Sequence, residues 1–404
     1  MEYLSEITCS PNILNTIRNS NGRREFDNSM NDNPQSIQLR ADNMRRRPTI
    51  VLGASGLVGQ RMQQRLTNHP WFELKAIGGR AERSQQSLEE IPWRLEQQRP
   101  DLPKIPILNT SSESFVDDLI QLNIEVAFSC LPSDAAESLE PILAQAGIAV
   151  FSNASFHRRK QGIPLVIPDV NPEHFAEFST TKGPLACGTN CTLIPMAAPL
   201  AALRYYGPSK VKMRSEQALS GAGWRLLFDE KAMNGKLEPN IPGEAEKVHE
   251  EFLHVFGTSR QSIVHPADIE VDVKCQRVPR KDGHQVFVEA TFTKPLSYEK
   301  VLSAFNSQRF NSTVSKCPSA PIQPLHVVEE IDVDRHLWSD GVTFSNQPEP
   351  SKNLQTGMAV IVGNVEIHDK HTLTFSAYSH NTIRGAAGGT MLLAELAVVE
   401  GRIP

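Results

Sequence analysis

The chain has no paired CxxC spacing and no cluster of cysteine with histidine; its six cysteines stand apart as Cys9, Cys130, Cys187, Cys191, Cys275 and Cys317. That leaves out the usual zinc geometries and any disulfide framework, so free thiols in a reducing compartment are expected. No apolar run approaches the ~20 residues that cross a bilayer, and the N-terminus lacks the basic-then-apolar order of a secretory signal. No membrane partner is expected, and a cytoplasmic address follows by default. Positive charge is also unconcentrated: 41 Lys and Arg are scattered among 46 Asp and Glu for a formal net charge of −5. Without a basic face to release counterions, nucleic acid is not an expected partner. What is present is apolar material, 39% of 404 residues, enough for two domains or one elaborate domain.

Residues 1–47 are rich in Asn, Ser and Arg and lack apolar periodicity, and Glu2, Glu6, Glu25 and Asp27 argue against an acid-poor mitochondrial presequence. They read as a flexible extension, and a shorter product starting at Met44 would lose nothing that looks folded. Pattern begins at Thr49-Ile50-Val51-Leu52, a short buried strand, followed by a glycine-rich turn and a helix through Leu66. Strands at Glu73–Ile77, Glu125–Ser129 and Ala149–Ser152, with a helix from Ala135 to Ala146, alternate as a parallel doubly wound sheet requires.

From about residue 210 the pattern changes to longer alternating strands: Lys210–Ala218, Ile269–Arg277 and Val286–Thr293, the last two joined by a turn at Lys281-Asp282-Gly283. Val360–Ile367 and Thr372–Tyr378 form a further hairpin. The second half is therefore a mixed or antiparallel sheet, with residues 318–352 as a long surface excursion. Small and apolar residues over Gly385–Val399 predict a helix that packs back on the first domain. The expected organisation is an extension at 1–47, a dinucleotide-binding domain at 48–190, a catalytic domain at 191–365 and a returning segment at 366–404.

Gly53, Gly56 and Gly59 fall where a strand meets a helix, with Ser55, Leu57 and Val58 between them, so backbone can approach a pyrophosphate while the helix N-terminus supplies N–H donors. The motif is weak alone. After the second strand, where an NAD enzyme places a carboxylate for the ribose hydroxyls, stand Arg80, Arg83 and Ser84. Two guanidinium forks and a hydroxyl suit a 2′-phosphate, favouring NADP; Glu82 opposes that choice.

Cys187-Gly188-Thr189-Asn190-Cys191-Thr192 precedes an apolar helical stretch, Leu193 to Leu203, which puts Cys191 at a helix N-terminus where the macrodipole favours thiolate. A small buried apolar residue is the ordinary fate of free cysteine, and it suits Cys130, at a strand end, better. Pro195 is tolerable only near the cap, and Pro199 should kink the helix.

With Gly53xxGly56xxGly59, Asn190-Cys191-Thr192, Gln217-Ala218-Leu219-Ser220-Gly221-Ala222-Gly223, Gly243-Glu244-Ala245-Glu246-Lys247, Arg277 with His284 seven residues on, and Asn381-Thr382-Ile383-Arg384-Gly385, the chain resembles the aspartate-semialdehyde dehydrogenases, in their archaeal and fungal branch. The resemblance runs in order from about Thr49. It implies a Rossmann-type NADP-binding domain, an α+β catalytic and dimerisation domain with a mixed sheet, and a homodimer or homotetramer acting on a small acyl phosphate.

It also implies roles. Cys191 would attack the acyl carbon, Asn190 and backbone N–H groups would hold the oxyanion, and His284 would be the general acid/base. Gln217 would orient the substrate, Arg277 clamp its carboxylate, Glu244 recognise its amino group, and Lys247 with Arg158 receive phosphate. Asn381 would join the glycine loop, Arg80, Arg83 and Ser84 in binding NADP. Glu244 and Lys247 could equally be an exposed i,i+3 ion pair, and His284 a surface residue beside a turn. Trp224, Arg159, Lys160 and residues 331–357 depart from the family pattern. Two other readings stay open: an acyl-CoA reductase with the same thioester chemistry, and a catalytically silent NADP-binding paralogue.

Overall fold

A computed structural model describes residues 45–84, 86–176, 183–260 and 263–403. The expectations for residues 1–44 lie outside the described residues; backbone pairing begins with Arg47 in the first strand.

Six strands form the first sheet: β1 (Arg47–Leu52), β2 (Phe72–Gly79), β3 (Ile107–Asn109), β4 (Val126–Ser129), β5 (Ala149–Ser152) and β6 (Leu185–Cys187). Their order is β3-β2-β1-β4-β5-β6 and every pairing is parallel. The central strands β4 and β5 are buried throughout, as a sheet covered on both faces requires, while β2 carries Glu73 and exposed Lys75 near its start. Helices α1 (Leu57–Leu66), α2 (Phe115–Gln121) and α3 (Ser133–Gln145) belong to this layer. The order reverses between β1 and β4, and the crevice at the carboxyl ends of those two strands is where an open α/β sheet receives a ligand.

Helix α1 is polar yet buried: Gln60, Arg61, Gln63, Gln64 and Arg65 are all covered. Backbone carbonyls receive Gln60 (Pro92), Gln63 (Ala54) and one Arg65 nitrogen (Leu354), while Arg61 bonds the side chains of Thr382, Gln64 and Gln97. Buried polar groups persist only when so paired. Leu354 lies just past the expected surface excursion, which is more than a surface loop. It contains a short strand, β12 (Leu325–Val327), and buries Ser319, Ala320, Leu325 and Ser339.

The second sheet contains β7 (Pro208–Gln217), β10 (Glu270–Arg277), β11 (His284–Phe292), β12, β13 (Val360–Ile367) and β14 (Thr372–Ser379). A separate ribbon pairs β8 (Thr258–Arg260) with β9 (Ile263–His265). The order β10-β7-β11-β14-β13-β12 is mixed, and it corrects one expectation. β10 and β11 are consecutive but not neighbours: β7 lies between them, parallel to β10 and antiparallel to β11. The Lys281-Asp282-Gly283 turn therefore carries the chain across β7 rather than closing a hairpin. The β13–β14 hairpin forms as expected.

Along β7, Val211, Met213, Ser215 and Gln217 are buried while Lys212 and Arg214 are exposed, the two-residue period of a sheet with one covered face. The covering helices are α4 (Leu193–Ala202), buried along most of its length, α5 (Glu244–Val255) and α6 (Tyr298–Ser307). Helix α7 (Gly388–Val399) follows a π turn at Ile383–Ala387, and its Met391, Leu392 and Leu396 share a core with Val51, Phe72 and Phe128 of the first sheet. The chain thus returns to its first layer.

Candidate active site

Gly53 has φ +74°, and a Cβ there would stand 2.5 Å from the Cys130 carbonyl oxygen. A Cβ on Gly59 would meet the Gly53 oxygen at 2.3 Å, so glycine lets α1 close onto the turn. Gly53, Ser55 and Gly56 line a cleft of about 860 Å³ with Arg80, Glu82, Arg83, Cys130 and Asp134. Leu57, Val58 and Gly59 form the first turn of α1, whose opening N–H groups have no partner within the helix. Arg80 and Arg83 are exposed and Ser84 half-buried, in a short 3₁₀ turn after β2. Glu82 lines the cleft beside them. The size, the glycine approach and the two guanidinium groups fit a dinucleotide with a 2′-phosphate.

At the edge of the second sheet the register sets Arg277 directly beside Gln217, both at the carboxyl ends of parallel strands. The next strand starts there with His284, whose Nδ1 accepts the Ala218 N–H at 3.1 Å. The Nη1 atom of Arg277 donates to the Ala218 carbonyl at 2.8 Å. Gly221 lies against both: a Cβ there would sit 3.0 Å from Arg277 Nη1 and 3.1 Å from His284 Nε2. His284 is fully buried, and burial followed by Arg277 and Arg280 pushes its pKa down to about 3. The sequence alternative of a surface histidine is excluded.

Cys191 is half-buried one residue before Thr192, the cap of α4. The expectation that the helix end favours thiolate is not met in the free protein: burial, then Glu244, pushes the thiol up to about 12, against the opposing pull of Arg158 and Arg277. The physical reason is position, because the helical turn starts only at Leu193 and desolvation exceeds what the macrodipole returns beyond it. Pro195 falls in that first turn, where a missing N–H costs little, and Pro199 lies inside the helix.

Asn190 is engaged at three atoms. Its Oδ1 accepts the Thr192 N–H at 2.8 Å, its Nδ2 donates to Glu244 Oε1 at 2.9 Å, and its backbone N–H donates to Glu251 Oε2 at 2.6 Å. Glu244 also accepts from Gln217 at 3.3 Å, so it belongs to the site and not to an ion pair with Lys247. Lys247 is exposed one turn along α5. Arg158 is buried and bonds Glu251 Oε1 at 3.0 Å and the Asn153 carbonyl at 2.9 Å. Burial works against its charge, yet Glu251 holds its pKa above the ordinary value. Arg158 and Lys247 are thus not a bare pair of cations. Asn381 is also occupied, accepting the Gly283 N–H at 2.7 Å and donating to Ser220 at 2.8 Å.

Glu251 was missed by sequence reading, although a signal existed. It falls in the apolar stripe of α5 with Val248, Phe252 and Val255, a place where an unpaired carboxylate is costly. Gly385 is the second omission: a Cβ there would stand 2.5 Å from the Cys191 Cβ and 3.1 Å from its Cα. Gly385→Ala should lower kcat about a hundredfold by displacing Cys191, with cofactor binding unchanged. Steady-state kinetics beside a cofactor titration checks this. Trp224 ties the halves of the site, donating to the Ser55 carbonyl at 3.0 Å.

A dinucleotide turn on one sheet and a ringed cysteine beside another mixed sheet form the two-part build of a semialdehyde dehydrogenase. Residues 49–178 match the model of the semialdehyde dehydrogenase NAD-binding domain, and residues 198–384 that of the semialdehyde dehydrogenase dimerisation domain. An aspartate-semialdehyde dehydrogenase of Archaeoglobus fulgidus is 35% identical over 87% of this chain and 97% of its own length. One from Aspergillus fumigatus is 33% identical over the same shares. The crystal structure of aspartate semialdehyde dehydrogenase with NADP from Candida albicans superposes with a TM-score of 0.74 at 27% identity, covering 89% of this chain and all of that one. The chain belongs to the aspartate-semialdehyde dehydrogenase family.

Proposed function

We propose that the chain reduces L-4-aspartyl phosphate to L-aspartate 4-semialdehyde with NADPH, through a thioester on Cys191. The observation that carries this reading is the set of groups gathered beside Cys191: its neighbour Asn190 bonds Glu244 and Glu251, Glu244 also accepts from Gln217, Arg277 stands in register with Gln217, and Arg158 bonds Glu251. Two cations and a carboxylate around one thiol suit a substrate with two anionic groups and an ammonium. Sulfur attacks the acyl carbon, the carbon–oxygen bond to phosphate breaks, and a thioester remains. Gly53–Gly59, Arg80, Arg83 and Ser84 would hold NADPH, whose chemistry when bound is to supply the hydride. Cleavage of the carbon–sulfur bond then frees the aldehyde and restores the thiolate. Gln217 orients the acyl group, Arg277 holds the α-carboxylate, Glu244 the amino group, and Arg158 with Lys247 the phosphate, while Asn190 and His284 serve the carbonyl oxygen as donor and acid/base. Asn381 would serve the cofactor side of the site, an assignment that rests on the family resemblance, while its own bonds run to Gly283 and Ser220.

We assign residues 48–190 to cofactor binding, 191–365 to catalysis and subunit contact, and 366–404 to the return onto the first sheet, which the packing of α7 supports. A homodimer or homotetramer is supported by the match to a dimerisation domain. Free thiols at Cys130, Cys187, Cys191, Cys275 and Cys317 support a cytoplasmic setting, and among the described residues no helix is long and apolar enough to cross a membrane.

The test is a reverse assay. L-aspartate semialdehyde, NADP and inorganic phosphate should yield NADPH, and coenzyme A in place of phosphate should yield none. A requirement for coenzyme A, indifferent to the substrate amino group, would transfer the assignment to acyl-CoA reduction. In the same assay Arg83→Ala should erode the preference for NADP over NAD about tenfold, with little change in kcat at saturating cofactor. Equal use of NAD by the unaltered protein would overturn the cofactor assignment.

A further inference from the structure

A cavity of about 330 Å³ opens at the seam where α1 meets the short helical turns Trp224–Leu227 and Glu230–Met233, and none of the groups gathered beside Cys191 lines it. Its wall is aromatic: Trp224 and Phe228 stack with ring centroids 5.6 Å apart and planes 10° from parallel. Leu57 from the first turn of α1, Leu227 and Met233 complete the apolar lining. Phe228 is nonetheless 57% exposed. A lone exposed phenylalanine is ordinary, but a ring already stacked at the mouth of a cavity offers a face on which apolar material can be taken out of water.

The charges on the rim are unevenly used. Lys281 donates to Glu96 at 2.6 Å, and Arg61 is held by Gln97, Gln64 and Thr382, so those groups serve the fold. Asp282 is different. Its Oδ2 stands 3.7 Å from Arg61, whereas its Oδ1 is buried and has no hydrogen-bond partner. A buried carboxylate oxygen in that state calls for a donor, and Asp282 borders the cavity, from which one can come. Arg94, exposed and unpaired among the described residues, borders the same cavity, as does the exposed Glu230. The rim thus offers an open acceptor and an open cation beside an aromatic wall. A ligand that answers all three carries an ammonium, a carboxylate and an apolar side chain.

We propose that this cavity binds a free α-amino acid with a large apolar side chain, its ammonium on Asp282, its carboxylate on Arg94 and its side chain against Phe228 and Trp224. Occupancy is felt by the cofactor. Trp224 donates to the Ser55 carbonyl at 3.0 Å and Leu57 opens α1, so the wall of the cavity is also the back of the glycine turn. A ligand that fixes this wall spares the cofactor part of the ordering it would otherwise impose, and the amino acid and NADP should each tighten the other's binding by the same factor. Binding here does not depend on which acyl group the enzyme reduces.

Titration calorimetry on the full chain tests this. L-Leucine, L-methionine and L-phenylalanine should bind with a Kd of about 1 mM or below. The oxo acid 4-methyl-2-oxopentanoate, which lacks the ammonium of leucine, and 3-methylbutylamine, which lacks its carboxylate, should bind at least about tenfold more weakly. Phe228→Ala and Arg94→Ala, both changes at exposed positions, should weaken leucine binding at least about tenfold. Neither should alter the NADP affinity measured without the amino acid, which also reports that the chain is folded. Asp282→Asn should act like loss of the ligand ammonium. Saturating leucine should lower the Kd for NADP about fivefold. Absence of binding up to about 20 mM, equal binding of the oxo acid, or displacement of leucine by NADP would overturn the site. An NADP constant that bound leucine leaves unmoved would overturn the coupling.

Discussion

Replacing Cys191 with alanine should lower turnover at least about 10⁴-fold while changing cofactor affinity less than about twofold. In the proposed reaction each step passes through the bond between the Cys191 sulfur and carbon, whereas the cofactor cleft is lined by Gly53–Gly56, Arg80 and Arg83 on the other sheet. The pH behaviour adds a second measurement. A thiol pushed up to about 12 leaves roughly one thiolate in 10⁵ at pH 7 in the free protein. Alkylation of Cys191 by a neutral reagent should therefore be slow at neutral pH and rise about tenfold per unit as pH climbs toward 12, since raising pH removes the proton that burial and Glu244 retain. Mapping the adduct decides the site. Cys187 is fully buried with its thiol pushed up as well, by burial first and then Glu140, so label there with activity surviving in Cys191→Ala would refute the nucleophile assignment. Turnover at neutral pH requires that bound substrate or cofactor lower the barrier to losing this proton, so reactivity measured with cofactor present should exceed that of the free protein.

Those contacts also mark how far the sequence could be read. Gly53, Gly56 and Gly59 were legible because a strand, a turn and a helix follow one another within a few residues, and local order of that kind needs no partner to be recognised. Alternation along β7 likewise showed its buried face. The insertion of β7 between β10 and β11 was not legible, since a turn of suitable composition joins any two strands whether or not they pair, and pairing is decided by distant segments. The charge state of Cys191 was misjudged for a related reason. Macrodipole position is local and can be read from spacing, but desolvation depends on what packs against the residue, including Gly385 from nearly two hundred residues away, which lies against the Cys191 Cβ and Cα. Arg158 illustrates the same limit: its type suits phosphate, yet only the fold reveals that Glu251 already holds it.

Replacing Arg277 with lysine should raise the KM for L-aspartate semialdehyde about 10²-fold and spare the KM for phosphate. Arg277 uses one nitrogen to bond the Ala218 carbonyl, at the strand end that also fixes His284. The remaining edge of its planar fork is left to meet a carboxylate with two parallel N–H bonds. Lysine offers one ammonium on a flexible stem, and it cannot hold the Ala218 oxygen and grip both carboxylate oxygens in the same arrangement. Burial lowers the pKa of the guanidinium, and at neutral pH, where Cys191 is a thiol, the Glu244 carboxylate is the charge that counters it, which makes the pocket sensitive to any loss of geometry. Glu244→Gln should act on the same constant through the amino group, and more weakly, because Asn190 and Gln217 can still bond the amide oxygen. Lys247→Ala should instead raise the phosphate constant severalfold, since Lys247 is exposed and screened. The separation of the two constants is the decisive measurement. If Arg277→Lys left the aldehyde constant unchanged, or moved the phosphate constant by the same factor, the carboxylate would have to be bound elsewhere in the site.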